Sequence, residues 1–386
     1  MTGWILLGAL SAGVLLIAWV IYPRAAIAVG ARRPSAPVIS PDPPTLISVL
    51  IATREPVPVV RARLLDLLSG AWPADRLELI VAVDGDPSDY RFEDLSPAPR
   101  RIAVVPGDSP GGKASALNAG VRAATADLLV LADSHQRFEP EAIPRLLAAL
   151  GSPDFAAVSG ALRIGNERDP RSPLARYWRM ERRLRAAEAR IHSSIGVSGS
   201  IYAIRRSLWS PLPGGLILDD LWIPLRLILA GHRVGFEPGA IAEDTRTTTH
   251  DQEFVRKVRT LTGNLQIVAW MPILLLPWRN PVWIQFVCHK LLRLATPFAL
   301  AGVAAAGLGV AFALAPWAGW GLLIAAGSAL LAALLWPGRP GVRVRHALAW
   351  GIAMQRAVVT ATWNGLRGRW DVWSDPIEGA PRQPPR

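Results

Sequence analysis

Residues 111–138 read GGKASALNAGVRAATADLLVLADSHQRF. A glycine pair precedes Lys113, a short helical pattern follows, and an apolar run then ends in Asp133, with His135 two residues further on. Glycines before a helix and a strand closed by a carboxylate are the punctuation of an α/β unit, in which ligands gather where strands end. The order puts an ammonium, a strand-end carboxylate and an imidazole in one neighbourhood. Those groups suit an anionic substrate such as a nucleotide diphosphate, held with a metal ion.

The chain around this run keeps the same alternation. From about residue 45 to 264, short β-rich segments alternate with helical ones, as an α/β domain requires. Strands are predicted at 47–53, 77–83, 101–105 and 127–132, and helices at 61–68, 114–124 and 140–150. Thr53, Glu55, Asp84 and Asp133 then all lie at strand ends. Each has a plainer reading. Asp84 can shape the turn before Gly85, Asp133 can cap the turn into the helix near 140, and Lys113 can be a solvated loop residue. Together they are harder to explain that way.

With 386 residues, 51% of them hydrophobic, the chain can hold a sizeable soluble core and a few membrane spans. The net charge of +12 raises nucleic acid as a partner. The basic residues, however, flank apolar spans or lie in one Arg-rich stretch at 163–190, and neither an RNA-binding aromatic signature nor zinc-finger spacing is present, so no nucleic-acid partner is expected. The stretch at 174–192 alternates arginine with Glu181 and Glu188 and reads as a charged helix face. The single Cys288 excludes an internal disulfide and a multi-cysteine metal site. Of the 42 Lys and Arg residues only Lys113, Lys257 and Lys290 are lysine. A lysine kept where arginine is the default fits a compact point contact to phosphate.

Residues 4–22 are apolar over a bilayer's thickness and are followed by Arg24, Arg32 and Arg33, which reads as a signal anchor occupying 1–30. The alternative is a cleaved signal peptide. The positive-inside rule places the chain after Arg24 in the cytoplasm, beginning with a Pro-rich linker at 31–44 and then the domain at 45–264. Residues 265–293, with Pro272, Pro277 and Pro281, read as interfacial helices. The C-terminal membrane region covers 294–366, with spans at 294–315 and 317–336 and an arginine-bearing cytoplasmic loop at 337–346. Gln355 and Arg356 lie near the middle of the apolar segment 346–366, where they would face a partner helix, a polar path or the interface. A tail at 367–386 closes the chain.

Seven segments carry a resemblance. SVLIATREP (48–56), VAVDGD (81–86), GGKASALNAG (111–120) and LADSHQRF (131–138) are followed by GVSGSIYAIRR (196–206), LDDLWIPLRLILAGHRV (218–234) and EFVRKVRTLTGN (253–264). In this order, over about residues 45–293, the chain resembles the family 2 glycosyltransferases, the membrane-associated inverting enzymes that include cellulose, chitin and hyaluronan synthases. The resemblance implies an α/β, GT-A-like nucleotide-sugar-binding domain with a mixed, mainly parallel sheet, flanked by transmembrane helices. It also implies that Thr53, Glu55 and Asp84 hold base and ribose, while Lys113 and Asp133 serve the diphosphate and its Mg2+ or Mn2+.

Sugar transfer itself asks for such groups, because the departing nucleoside diphosphate gathers charge that cations must meet. The family usually has a second aspartate where this chain has His135. Related folds that add N-acetylgalactosamine to proteins use Asp-x-His, and imidazole suits Mn2+ better than Mg2+. The alternative is that His135 packs or hydrogen-bonds. Inversion needs a base for the acceptor hydroxyl. By resemblance that is Asp220, and Asp219 would act through it; an N-cap is the alternative for Asp220. Arg256, Lys257 and Arg259 would close over the diphosphate or touch lipid headgroups. Processive relatives read Gln-x-x-Arg-Trp where this chain reads Arg256-x-x-Arg259-Thr260.

The expected protein is an integral membrane enzyme of a bacterial cytoplasmic membrane, with its catalytic domain in the cytoplasm. It would move a hexosyl or N-acetylhexosaminyl group from a nucleotide-sugar donor to a lipid-linked or growing-glycan acceptor, in cell-envelope or exopolysaccharide synthesis. Its partners would be membrane lipids and a membrane partner subunit. A processive polysaccharide synthase and a non-catalytic membrane scaffold that keeps the fold are the alternatives. A transporter would have only three or four spans to build a path from, and no glycine fingerprint of a Rossmann dehydrogenase comes after the first strand.

Overall fold

The computed structural model describes residues 1–40, 45–164, 173–246 and 249–372. Part of the Pro-rich linker and most of the tail lie outside the described residues. The chain divides into two compact units: Ala25–Thr247 with Trp270–Trp283, and Met1–Arg24 with Thr248–Ala269 and Ile284–Arg386.

Among the described residues the first unit holds eight strands: β1 (Ile47–Thr53), β2 (Leu77–Val83), β3 (Arg101–Pro106), β4 (Leu128–Ala132), β5 (Arg137–Phe138), β6 (Phe155–Ile164), β7 (Ile201–Arg205) and β8 (Arg233–Asp244). They form one sheet in the order β3-β2-β1-β4-β7-β6-β8-β5. The first four strands in space run parallel; β7 is antiparallel to both of its neighbours, β4 and β6. β8 is parallel to β6, and β5 closes the edge antiparallel to β8. The sheet is therefore mixed and mainly parallel.

β1 and β2, ISVLIAT and LELIVAV, are apolar without alternation because helices cover both faces. On one face Ile47, Val49, Ile51, Leu77, Leu79 and Val81 form a buried cluster with Val60, Leu64 and Leu67 of helix Val57–Leu68 and Leu146, Leu147 and Leu150 of helix Ala142–Leu150. On the other lies helix Lys113–Ala123, drawn so close that a Cβ on Gly120 would meet Leu50 Cδ1 at 2.1 Å. One buried carboxylate interrupts this core. Glu78 accepts hydrogen bonds from Ser48, Arg101 and both the backbone N and the hydroxyl of Thr125. Burial pushes its pKa up, but these bonds outweigh burial and hold it below the ordinary value.

Among the described residues three helices are long and apolar enough to cross a membrane: Thr2–Ala31, Thr296–Leu314 and Pro316–Leu335. Thr2–Leu16 packs along Thr296–Leu314, and Trp19 Nε1 donates to Thr296 Oγ1 at 3.1 Å.

Four expectations change. The loop at 337–346 is absent: helix Gly338–Leu366 starts there, since proline in a first turn gives up no needed hydrogen bond. Its Arg345 donates to the carbonyls of Leu334 (3.1 Å) and Trp336 (2.8 Å), satisfying the end of the preceding helix. The domain boundary drawn at 264 falls inside helix His250–Trp270, and Thr248–Ala269 groups with the apolar helices. The reason is packing, with Asn364 Nδ2 reaching Thr262 Oγ1 at 3.4 Å and Arg356 lying 5.7 Å from the Phe254 ring centroid. The same helix takes up the start of the segment read as interfacial. Finally, Glu181 and Glu188, read as part of a charged face of helix Pro173–Ile191, are buried because that helix packs on β8.

Candidate active site

Because β1, β2 and β4 run parallel, Thr53, Asp84 and Asp133 leave the sheet on one edge. β7 starts at that same edge, with Ile201 opposite Ala132, and β8, parallel to β6, ends there. Candidate residues far apart in the chain are thus delivered to one place.

Thr53 is buried and ties the first turns together: its hydroxyl accepts from the Glu55 backbone N (2.9 Å) and from Ser134 Oγ (2.9 Å). The Glu55 carboxylate meets His135 Nε2 at 2.9 Å, and its carbonyl accepts from Tyr90 OH at 2.6 Å. Asp84 continues from β2 with its carboxylate between Arg54 and the Gly112 backbone N, 2.8 Å away. Gly112 has φ +93°, a left-handed conformation that favours glycine, and it is the N-cap of the helix that Lys113 opens. Lys113 therefore begins a helix; it is not a loop residue.

Lys113 is the centre of the arrangement. Its Nζ lies 3.0 Å from Asp133 Oδ1 and 3.6 Å from Asp219 Oδ2. A Cβ placed on Gly199, in the turn before β7, would touch both Lys113 Nζ and Asp220 Cβ at 3.5 Å. Burial disfavours the ammonium, yet Asp133, Asp219 and Asp220 together raise its pKa. Lys113 thus joins the strand-end carboxylate of one half of the unit to the acidic pair of the other.

Asp219 and Asp220 open helix Asp219–Leu229, whose N-cap is Leu218 and has no side-chain cap. Capping does not explain Asp220. Asp219 is buried and its Oδ2 has no hydrogen-bond partner, whereas Asp220 is half-buried. Arg256 and Arg259 are not brought to this cluster within the unit: both belong to the other unit, where Arg256 pairs with Glu253 at 3.1 Å on its own helix.

Sequence reading missed several contributors. Arg63 is buried under the Asp133 turn; its Nε donates to the Asp133 carbonyl at 3.1 Å, it pairs with Asp66, and it stacks 4.0 Å from the Phe138 ring centroid. Burial lowers its pKa to about 10 despite Asp66 and Asp133. Its only sequence signal is the i,i+3 pairing with Asp66. Tyr202 of β7 is buried with an unpartnered hydroxyl, and burial followed by the fields of Asp219, Asp220 and Asp133 raises its pKa. At the end of β8, Asp244 binds Arg246 and Gln136. Burial opposes the Asp244 charge, but the bonds from Arg246 and Gln136 prevail and bring its pKa to about 2.

Among the described residues no group of three or more His, Cys, Asp or Glu side chains is arranged to hold a metal. Asp133 and His135 offer one carboxylate and one imidazole, a partial donor set that a bound anion's oxygens would have to complete.

Residues 48–210 match the family Glycosyl transferase family 2. YdaM of Bacillus subtilis, a probable glycosyltransferase, is 26% identical over 237 residues, covering 58% of this chain and 56% of the relative. An N-acetylglucosaminyltransferase of Azorhizobium caulinodans is 26% identical over 186 residues, 43% of this chain and 46% of the relative. The chain thus spans about half the length of the curated relatives it matches. The mannosyltransferase PcManGT of Pyrobaculum calidifontis, solved with GDP-Man and Mn2+, superposes with a TM-score of 0.69 at 22% identity, over 95% of this chain and 98% of that one. The matched span runs from β1 through β7, the strands that carry the lysine loop and the Asp133 turn, so the α/β unit is similar to family 2 glycosyltransferase domains and has a fold of GT-A type.

Proposed function

We propose that this chain is a membrane-anchored, inverting glycosyltransferase that moves a sugar from a nucleotide-sugar donor to a lipid-linked or growing-glycan acceptor. The observation that carries the reading is the position of Lys113, 3.0 Å from Asp133 and 3.6 Å from Asp219. It couples a phosphate-facing group to an acidic pair suited to proton abstraction. Thr53, Glu55 and Asp84 line the strand ends where the base and ribose would lie.

Asp133 and His135 would hold a divalent cation, Mg2+ or Mn2+, through one carboxylate and one imidazole. The cation supplies neutralisation of the charge that grows on the departing diphosphate. Lys113 does the same from the helix side, as a fixed positive group that needs no rearrangement when charge develops. Asp220 accepts the proton of the acceptor hydroxyl as that oxygen attacks the anomeric carbon from the face opposite the diphosphate, which inverts the configuration. Asp219, buried behind it, keeps the acidic pair and Lys113 in register.

The three apolar helices support membrane anchoring. The arginines after the first of them favour a cytoplasmic α/β unit, and an acceptor carried at the membrane would suit cell-envelope or exopolysaccharide synthesis. Arg256 and Arg259 are proposed as further contacts to the diphosphate. The test is release of nucleoside diphosphate by membranes given a panel of nucleotide sugars with Mg2+ or Mn2+. Wild type should turn over one donor with inversion, and Asp220→Asn should slow it by about 10²- to 10⁴-fold while donor binding persists. Unchanged turnover in that variant removes the base; no release from any donor removes the function.

A further inference from the structure

The register of β5 on β8 puts Arg137 opposite Glu243. Extended by one residue it brings Gln136 opposite Asp244, and Gln136 Nε2 donates to Asp244 Oδ2 at 2.8 Å. The chain leaving β8 therefore runs beside the Asp133–His135 turn. Two residues on, Arg246 folds back. Its backbone N and Nε both donate to Asp244 Oδ1, at 3.1 and 3.0 Å, and its Nη2 donates to Oδ2 at 2.7 Å.

These bonds occupy one edge of the guanidinium. No protein group among the described residues accepts from Nη1, and the Arg246 side chain is 45% exposed while that of Asp244 is 7% exposed. The Asp244 hydrogen bonds and, beyond them, the Asp133 and Glu55 carboxylates favour the Arg246 charge, and the Gln136–Asp244 bond ties the end of β8 to the segment that follows the Asp133 turn. An ordinary surface ion pair has no need of a buried carboxylate held by a third polar residue. Here the buried carboxylate and Gln136 fix the direction of an otherwise mobile side chain.

Resting on the glycosyl-transfer reading above, we propose that Arg246 is a further donor-binding residue whose outward guanidinium edge contacts the β-phosphate of the nucleotide sugar, with Asp244 and Gln136 as its positioning residues. Asp133 then stands between two cations of different kind. Lys113 supplies a compact point charge from the helix side, and Arg246 supplies a planar fork from the β8 side.

The test is calorimetric titration of the detergent-solubilised full chain with UDP, UMP, GDP and GMP in the presence of Mn2+. For the nucleotide that wild type selects, Arg246→Gln should bind the diphosphate about 10- to 100-fold more weakly and the monophosphate almost unchanged. Arg246→Lys should recover part of the loss. Diphosphate affinity within twofold of wild type in Arg246→Gln overturns the assignment. So does an equal loss for mono- and diphosphate, which would mean that Arg246 only fastens the end of β8. Wild type that binds none of the four nucleotides would instead remove the glycosyl-transfer reading, and this assignment with it.

Discussion

Asp244 gives a prediction that can be worked through in numbers. Its pKa falls from an ordinary 3.8 to about 2 in the folded protein. Each unit is worth about 1.36 kcal/mol, so the charged form contributes on the order of 2 kcal/mol to folding. Its partner Arg246 is half open to water, and screening trims the figure to about 1–2 kcal/mol. In Asp244→Asn the amide can still accept from Gln136 through its oxygen, but its NH2 then faces the Arg246 donors and the charge is gone. The sign is set by the depressed pKa: the stabilisation is complete above the unfolded value near 3.8 and is lost as pH falls toward 2. Thermal unfolding of the full chain in detergent should show the variant melting about 2–8 °C lower at pH 7, with the gap narrowing between pH 5 and pH 3. A gap that is absent at pH 7, or that stays constant down to pH 3, refutes the assignment of a charged, bonded Asp244.

Other outcomes are equally concrete. Gly120→Ala should destabilise the α/β unit by about 1–3 kcal/mol, because the new methyl group must displace Leu50 from a well-packed face; denaturant midpoints measure it, and an unchanged midpoint would mean that the helix shifts freely. Tyr202→Phe should be neutral or more stable by about 1 kcal/mol, since it removes a buried hydroxyl without a partner; a clear loss in the same assay would show that the hydroxyl is satisfied. His135→Asn should shift the metal preference of turnover from Mn2+ toward Mg2+, and an identical metal profile would count against ligation.

Much of the α/β unit was legible because its signals are local. β1 and β2 begin and end where their apolar runs do, at Ile47–Thr53 and Leu77–Val83, and the lysine loop leads directly into helix Lys113–Ala123. What escaped depends on partners remote in sequence. Asp244 acquires its meaning from Gln136, which the β5–β8 pairing brings alongside, and Arg63 from a carbonyl at Asp133. Glu181 and Glu188 looked solvated because charge alternation along a helix carries no record of the strand it packs against. The arginines at 339, 343 and 345 looked like a loop because charge is read before backbone; a proline in the first turn left the helix intact.

The change from parallel to antiparallel pairing at β4 has a further consequence. On the proposed reading, Thr53, Asp84 and Lys113 come from the β1 side of β4 and serve the donor, whereas Asp219, Asp220 and the Arg246 that follows β8 arrive from chain on the β7 side. At the strand ends the Lys113 ammonium bridges them, between Asp133 and Asp219. Such an enzyme would be divisible: the half that brings the acidic pair could be exchanged between relatives while the β1-side half stays in place, provided that the incoming half offers carboxylates where Lys113 expects them and a cation in the place of Arg246. Acceptor range would then diversify faster than donor range, and chimaeras joined between β4 and β6 are the natural way to read that rule.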